Sequence, residues 1–191
     1  MAFDDRRERE RAARRKLIIA TARRVAEAEG WDAVTTRRLS AEIEYSQPVL
    51  YKHFSGMEQI TDAIAVEAFG ELAEAIRRAR AGSGGAAGAL SRVARAYLTF
   101  ATANPAVYDA MFTRVTSLRF ADTDTPPQLE SAFTELRLAV DLVAGEQDSG
   151  SLTEVFWSAL HGLVTLGRTG RLRQSHERER VKLLVAQFVG S

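Results

Sequence analysis

The chain has 191 residues, of which 46% are hydrophobic and 27% charged, and its formal net charge is +1. This length allows one or two domains with their own cores, and the small net charge argues against a protein that is basic throughout. There is no cysteine, which excludes disulfides and thiolate metal sites. No apolar run is long enough to span a membrane, and the charged N-terminus has no apolar segment of the signal-peptide type behind it, so we expect a cytoplasmic protein.

The N-terminal segment concentrates positive charge. Between residues 6 and 24 only Glu8 and Glu10 are acidic, whereas the basic side chains are Arg6, Arg7, Arg9, Arg11, Arg14, Arg15, Lys16, Arg23 and Arg24. A local positive field of this kind attracts phosphate groups. We expect residues 1–10 to be disordered in free solution. Two interpretations stay open, a basic arm that reaches a nucleic-acid backbone and a solvated helix extension with local Glu–Arg pairs. We favour the second for residues 4–9 and the first for Arg11, Arg14 and Arg15.

The first predicted helix covers residues 11–29. Its apolar stripe recurs at i, i+4, i+7 and i+8 and consists of Ile18, Ala22, Val25 and Ala26. Gly30 is expected to end the helix as a left-handed cap. Because Trp31 follows that cap, we expect it to pack beneath the neighbouring helices rather than to stack on a base.

The stretch of residues 35–54, TTRRLSAEIEYSQPVLYKHF, predicts two short helices joined by a tight turn. Thr36 is placed to cap the first helix and Ser46 the second, with Pro48 in the first turn, where a missing N–H costs little. Leu50 and Phe54 are expected in the core, while the second helix presents donors outward, namely Gln47, Tyr51, Lys52 and His53. Two short helices with a donor-rich second one describe a helix-turn-helix, whose second helix lies in the DNA major groove.

The sequence LYKHF, preceded by a short helix starting at a serine and followed by an acidic, apolar helix, resembles the DNA-binding domain of the TetR family of bacterial transcriptional regulators. The resemblance runs from about Leu17 to Ile64. Two positions depart from the family pattern. Glu44 stands in the turn where members usually have Gly, which predicts a turn of different shape. Met57 stands where members often have Lys. The phosphate contact that this Lys makes in other members is therefore not expected here.

The resemblance implies that the second short helix contacts base edges. Gln47 carries the amide that pairs bidentately with adenine, and Lys52 reaches a guanine or a phosphate. Pro48 and Val49 are apolar and suit a thymine methyl group.

Phosphate contacts are implied at both short helices. Tyr51 and His53 typically bond to phosphate in this family, although His53 is alternatively a packed histidine beside the first helix. Arg37 or Arg38, together with the amide of Thr36, forms the expected phosphate clamp at the start of the first short helix. The full predicted DNA-binding set is Thr36, Arg37, Ser46, Gln47, Pro48, Val49, Tyr51, Lys52 and His53.

A long helix is predicted over residues 57–80, and at about 1.5 Å per residue it is roughly 36 Å long, enough to leave one domain and enter another. The following segment, AGSGGAAG over residues 81–88, is predicted to be a flexible loop. We therefore predict a helix-turn-helix domain over residues 1–56 and a C-terminal effector-binding and dimerisation domain over residues 57–191.

From residue 89 onward all patterns are helical, with a break at Asn104-Pro105. The predicted fold class is all-α, with a three-helix N-terminal domain joined by a long helix to a helical C-terminal domain. The predicted helix over residues 152–168 is apolar on two sides, which indicates two packing partners.

Trp157, His161 and Gly162, in FWSALHGLVTL, resemble the WHG-type C-terminal domain found in part of the TetR family. Members dimerise through their last two helices as a four-helix bundle, so the resemblance implies a homodimer in which Gly162 lets two backbones approach closely. The alternative is that these apolar faces are intramolecular core. The predicted interface residues are Phe156, Leu160, Leu163, Val164, Val181, Leu184, Val185 and Phe188.

These resemblances imply a ligand-responsive, DNA-binding transcriptional regulator, a homodimeric repressor that a small, mostly apolar molecule releases from a double-stranded operator. The pocket is expected among the helices between residues 90 and 161. Its candidate lining residues, each of which is alternatively plain core, are Tyr97, Phe100, Tyr108, Met111, Phe112, Phe133, Trp157 and His161.

Two other functions are weighed against this one. The first is a DNA-binding regulator that acts as an activator or has no small-molecule effector. The second is an all-helical enzyme, which the sequence disfavours. The histidines His53, His161 and His176 lie in separate elements without metal-ligand spacing, and no nucleophile, phosphate-loop or dinucleotide motif occurs. We therefore expect no catalytic residue, metal or cofactor.

Overall fold

The computed structural model describes residues 2–114, 117–119 and 124–189. Over these ranges the chain is all-α, as predicted, and contains no strand. The helices are α1 (Ala2–Glu29), α2 (Thr36–Glu42), α3 (Gln47–Tyr51), α4 (Met57–Arg80), α5 (Gly85–Ala103), α6 (Pro105–Phe112), α7 (Pro127–Val140), α8 (Ser149–Arg168) and α9 (Glu177–Val189), with 3-10 segments at Trp31–Ala33 and Gln174–His176. In the same ranges, no helix is both long and apolar enough to cross a membrane.

The described residues form two compact units. Unit 1 contains residues 1–68 and 104–119, and unit 2 contains residues 69–103 and 120–191. Helix α4 therefore contributes residues to both units, and α6 belongs to unit 1 although it lies between α5 and α7 in the sequence. The predicted functional division between residues 56 and 57 remains a prediction, since compactness groups the chain by packing and not by role.

Helix α1 is longer than predicted, because it begins at Ala2 and not near residue 11. The expectation of disorder over residues 1–10 is therefore wrong for residues 2–10. Charge pairs one turn apart support this extension, since Arg6 bonds Glu10 at 3.0 Å and Arg14 lies 3.8 Å from the other oxygen of Glu10. The helix ends at Glu29, and Gly30 follows it with a positive φ of 83°, which glycine adopts at low cost. The ψ of Gly30 is 166°, so Gly30 ends the helix as predicted but not in the left-handed helical conformation that was expected.

The core of unit 1 is formed by the predicted stripe of α1 and by apolar residues of α2, α3 and α4. The four stripe residues of α1 are at most 2% exposed. Leu39, Leu50 and Phe54 are at most 1% exposed, which confirms Leu50 and Phe54 as core residues. This packing fixes α2 and α3 against α1, because each short helix buries its one apolar side.

Unit 2 is built around α5, whose buried residues include Leu90, Val93, Ala94, Tyr97, Leu98 and Ala101. Helix α8 packs on α5, and its Phe156 and Leu160 are fully buried. The ring of Phe156 meets that of Phe188 in α9 edge to face at 5.1 Å. Helix α5 starts at Gly85, so the predicted flexible loop of residues 81–88 is shorter and spans residues 81–84. Arg92 closes that turn, donating to the carbonyl of Ala79 at 2.8 Å and to those of Gly82 and Ser83.

A buried carboxylate joins α7 to the second half of α4 in unit 2. Glu135 is 7% exposed, and its two oxygens accept from Arg77 Nε at 2.8 Å and from Arg80 at 2.9 Å. Burial alone would raise the pKa of Glu135, but the hydrogen bonds from the two arginines outweigh it and hold the pKa below its usual value. Breaking one partner would leave a buried charge uncompensated, so this triad fixes α7 against α4.

Candidate nucleic-acid interface

Helices α2 and α3 are joined by a turn in which Glu44 has a φ of 57°. This is the left-handed backbone conformation that glycine adopts most readily. The amide of the next residue, Tyr45, bonds the carbonyl of Ser40 at 3.1 Å and closes the turn. The expectation that Glu44 gives the turn a different shape is therefore wrong, because Glu44 itself adopts the conformation suited to glycine.

The caps of the two short helices differ in detail from the prediction. Thr35, not Thr36, caps α2, since its hydroxyl accepts from the amide of Arg38 at 3.1 Å. Thr36 is the first helical residue, so its amide is among those left free for an anion. Ser46 occupies the N-cap position of α3 with an extended backbone, but its side chain makes no capping bond.

The outward side of α3 is polar and accessible. Ser46, Gln47, Pro48, Tyr51 and Lys52 are all exposed, whereas Leu50 beneath them is fully buried. Val49 and His53 are half-buried at the edges of this surface. The helix is thus anchored by its apolar side and offers amide, phenol and ammonium groups on the other, as base and phosphate contacts require.

At the start of α2, the structure distinguishes the two candidate arginines. Arg38 is held by two carboxylates, Glu29 at 3.0 Å and Glu42 at 2.9 Å. Arg37 is exposed and is not held by a carboxylate of the described residues in this way. Since an ion-paired guanidinium must give up its partners to bind phosphate, Arg37 is the better-placed phosphate ligand of the two.

Basic residues of α1 lie beside the end of α3. Arg15 donates to the carbonyl of His53 at 3.2 Å and stacks over the ring of Phe54 at 4.2 Å, which ties α1 to the segment that directly follows α3. Arg14 stands 5.9 Å over the ring of Tyr45. Arg11 is exposed. Two of the three arginines expected at phosphate thus also have a structural contact that the sequence did not indicate.

The side chain of His53 is placed in a positive environment. Partial burial lowers its pKa from the ordinary histidine value, and the charges of Arg11, Arg14 and Arg15 lower it further. The free protein therefore favours the neutral imidazole. Both the phosphate contact and the packed alternative are compatible with its half-buried position.

Helix α6 is attached to α1 by contacts that sequence reasoning missed. The carboxylate of Glu27 accepts from the first free amides of α6, those of Ala106 at 3.1 Å and Val107 at 3.0 Å. Arg23 donates to Asn104 at 2.9 Å, and Trp31 Nε1 donates to the carbonyl of Ala106 at 2.8 Å. An acidic side chain at a helix N-terminus accepts hydrogen bonds from the free amides and interacts favourably with the positive end of the helix dipole. We call these contacts of Glu27, Arg23 and Trp31 the α1–α6 clamp.

The predicted pocket residues are divided between the units. Unit 1 holds three of them, Tyr108, Met111 and Phe112, and unit 2 holds the other five, Tyr97, Phe100, Phe133, Trp157 and His161. In unit 2, Trp157 Nε1 donates to the hydroxyl of the buried Tyr97 at 3.1 Å. Burial lowers the pKa of His161. No one unit therefore holds the eight residues together, and their assignment to a pocket stays a prediction.

The predicted dimer surface is largely covered within the chain. Six of its residues are at most 7% exposed, namely Phe156, Leu160, Val164, Val181, Val185 and Phe188. This burial favours the alternative that the six residues are core of unit 2, and their assignment to an interface stays a prediction. Leu163 and Leu184 are half-buried and remain candidates. Further candidates for the interface are the exposed apolar residues of α8 and α9, namely Val155, Leu166, Leu183 and Val189.

Comparison with known proteins agrees with this architecture. The family model of bacterial regulatory proteins of the tetR family matches residues 18–64, and the model of the Tetracyclin repressor-like C-terminal domain matches residues 90–188. The HTH-type transcriptional regulator Rv0681 of Mycobacterium tuberculosis is 30% identical over 82% of this chain and 71% of its own length. YobS of Bacillus subtilis, another HTH-type transcriptional regulator, is 28% identical over 79% of this chain and 77% of its own.

Solved structures share the fold over nearly the whole chain. A protein of unknown function from Rhodococcus sp. RHA1 has a TM-score of 0.74 at 25% identity, covering 92% of this chain and 93% of its own. The TetR family transcriptional regulator PfmR from Thermus thermophilus has a TM-score of 0.65 at 18% identity, covering 91% and 94%. With both family models matching and the helix-turn-helix in place, the chain belongs to the TetR family of DNA-binding transcriptional regulators.

Proposed function

We propose that this regulator is a homodimeric repressor that acts in the cytoplasm and that a small molecule releases from its operator. The observation that carries the DNA-binding part is α3, a short helix anchored by the buried Leu50 and exposing Gln47, Tyr51 and Lys52. Each protomer places α3 in the major groove of one half-site, so the operator is partly palindromic.

In this proposal base reading and phosphate binding belong to different residues. Gln47 reads one base pair through its amide, and the exposed Pro48 with Val49 contacts a thymine methyl group. Lys52, Tyr51 and Arg37 bind phosphate on either side of the groove, and the free amide of Thr36 adds a donor at the N-terminus of α2. His53 joins them at the edge of the surface.

The homodimer is proposed to form through α8. Val155, Ala159, Gly162 and Leu166 recur at i, i+4, i+7 and i+11, which places them on one side of the helix. Val155 and Leu166 are 59% and 42% exposed. Full burial of an exposed Val or Leu side chain contributes about 1.5–3 kcal/mol, so burying the exposed half of each contributes about half of that. An isologous contact counts every residue twice. Family members dimerise, which supports a second copy as the occupant of this face.

Gly162 supports the same face. A Cβ at this position would meet no atom within 4 Å, so nothing described in the chain itself requires a glycine there. Glycine inside a helix costs roughly 1 kcal/mol relative to alanine. A partner helix that approaches the backbone closely explains why that cost is tolerated.

Release by an effector is proposed to act through α4 and α6. Helix α4 has residues in both units, and the α1–α6 clamp fastens α6 to the helix that carries Arg15. To empty the operator, an effector must bind the conformation that does not bind DNA only a few kcal/mol more tightly than the one that does. A difference of about 5.5 kcal/mol reverses the populations of two conformations from 99:1 to 1:99.

Selection of bound duplexes from a random library tests the proposal. We expect enrichment of an inverted repeat, and Gln47→Ala should change the preference at one position in each half-site. Enrichment of a single, unrepeated half-site would contradict the homodimeric arrangement. If no small molecule that stabilises the protein changes its affinity for the selected duplex, the regulator has no effector of this kind and the repressor mechanism fails.

A further inference from the structure

Unit 2 contains a cleft of about 360 Å³ bordered by the end of α5, the end of α8 and the start of α9. A volume of this size falls in the range of small-molecule sites. Its lining includes none of the eight residues predicted for the effector pocket. The lining residues are Leu98, Ala101, Thr102, Leu163, Val164, Gly167, Arg168, Leu172, Glu177 and Arg180.

The lining divides into an apolar wall and a charged end. Leu98 and Val164 are 6% and 7% exposed and form part of the wall. Arg168, Arg180 and Glu177 supply the charges, which leaves one net positive charge in the lining. Arg180 is oriented by the bond that its Nη1 donates to the carbonyl of Arg173 at 2.8 Å. A guanidinium has five N–H donors, so the remaining ones are available to an anion.

Gly167 adds an independent observation. It lies inside α8 and lines the cleft, and a Cβ at this position would meet no atom within 4 Å. A glycine inside a helix is destabilising relative to alanine, unless another group needs the space that a side chain would fill. The missing side chain leaves the backbone of α8 open to the cleft, where a bound molecule could approach it closely.

The cleft uses another side of α8 from the proposed dimer face. At 3.6 residues per turn, the centre of the cleft residues of α8 is turned about 140° from the stripe that contains Val155 and Leu166. Arg168 and Gly167 therefore do not belong to that stripe, and the two surfaces are tested by different variants.

We propose that this cleft binds an amphipathic organic monoanion, with an alkyl chain against the apolar wall and a carboxylate or similar head group at Arg180. A neutral molecule of the same length would leave the charge of Arg180 without a counter-ion, and an alkylammonium would meet the net positive charge of the lining. That such a molecule is the effector rests on the proposed function, whereas its binding rests on the cleft alone.

Calorimetric titration of the full chain with octanoate, octanol and octylamine tests the charge requirement. We expect octanoate to bind about tenfold more tightly than either of the others, and Arg180→Gln to remove this advantage. Gly167→Leu should abolish binding by filling the cleft. The matched control is Arg171→Gln, an exposed arginine of the neighbouring turn that does not line the cleft.

Equal binding of octanoate and octanol, or an Arg180→Gln variant that still prefers octanoate, would overturn the proposal. Helical content by circular dichroism identifies a variant that fails to fold, and the Arg180→Gln result stands without the Gly167 variant. A chain that binds octanoate with these preferences yet shows no affinity for any duplex would refute the proposed function and leave the cleft assignment intact.

Discussion

Replacing Glu44 by glycine should stabilise the helix-turn-helix. Glu44 has a φ of 57°, and a residue with a Cβ in this conformation loses about 1–2 kcal/mol relative to a right-handed one. Glycine removes this cost but gives up about 0.5–1 kcal/mol of backbone entropy on folding. The expected net gain in the free energy of unfolding is about 0.5–1 kcal/mol, localised to α2 and α3.

Amide hydrogen exchange of the full chain measures this gain where it arises, because two compact units need not unfold together. Exchange in α2 and α3 should slow about two- to fivefold in Glu44→Gly, while exchange in α5 and α8 stays unchanged. Glu44→Ala is the matched control, since it removes the carboxylate but keeps the Cβ. Equal slowing in both variants, or no slowing in Glu44→Gly, would show that backbone strain is not present at this turn.

The further predictions concern DNA binding, pH dependence and assembly. Arg37→Ala and Lys52→Ala should each weaken binding to all duplexes and reduce the slope of log affinity against log salt by about 0.9, as measured by fluorescence anisotropy. Gln47→Ala should lose about 1–3 kcal/mol of discrimination at one base pair, as measured on single-substitution duplexes. In the free protein burial and nearby arginines lower the pKa of His53, so the free energy of unfolding should fall as pH drops through the ordinary histidine value near 6.5. Phosphate stabilises the imidazolium, so duplex binding should take up a proton and strengthen as pH falls, and His53→Gln should flatten that dependence. Gly162→Ala should weaken the dimer in sedimentation, whereas an isolated protomer would only be stabilised.

All of these changes except Gln47→Ala have a matched control in the chain. Arg78→Ala removes an exposed arginine of unit 2, and His176→Gln removes a histidine of unit 2, so neither should change the salt slope or the pH dependence of DNA binding. Gly167→Ala alters α8 on its cleft side and should leave the dimer intact. If Arg78→Ala lowers the salt slope as much as Arg37→Ala does, the phosphate assignment of Arg37 is wrong.

The sequence was sufficient to predict the elements of unit 1 because their signals are local. The spacing of apolar residues predicted α4 with its observed bounds, Met57–Arg80, and placed Leu50 and Phe54 in the core. The cap of α2 was missed by one residue, Thr35 instead of Thr36, since both residues are threonine and only the backbone angles decide which one precedes the helix.

The sequence could not decide between a dimer surface and intramolecular core, for a physical reason. Apolar periodicity shows that one side of a helix is buried but not what buries it. Phe156, Leu160 and Val181 therefore satisfied the pattern of an interface while packing within unit 2. The attachment of α6 to α1 was also out of reach, because Glu27 and Ala106 are far apart in the sequence and neither residue type signals a long-range cap.

The proposed mechanism requires two copies of α3 in the major groove of one operator. Sedimentation equilibrium of the purified chain with the selected duplex, at low salt, measures this stoichiometry. We expect a complex of two chains on one duplex, formed cooperatively and lost when the spacing between half-sites changes by half a helical turn. A complex with a single chain, or affinity that ignores half-site spacing, would rule out the paired arrangement.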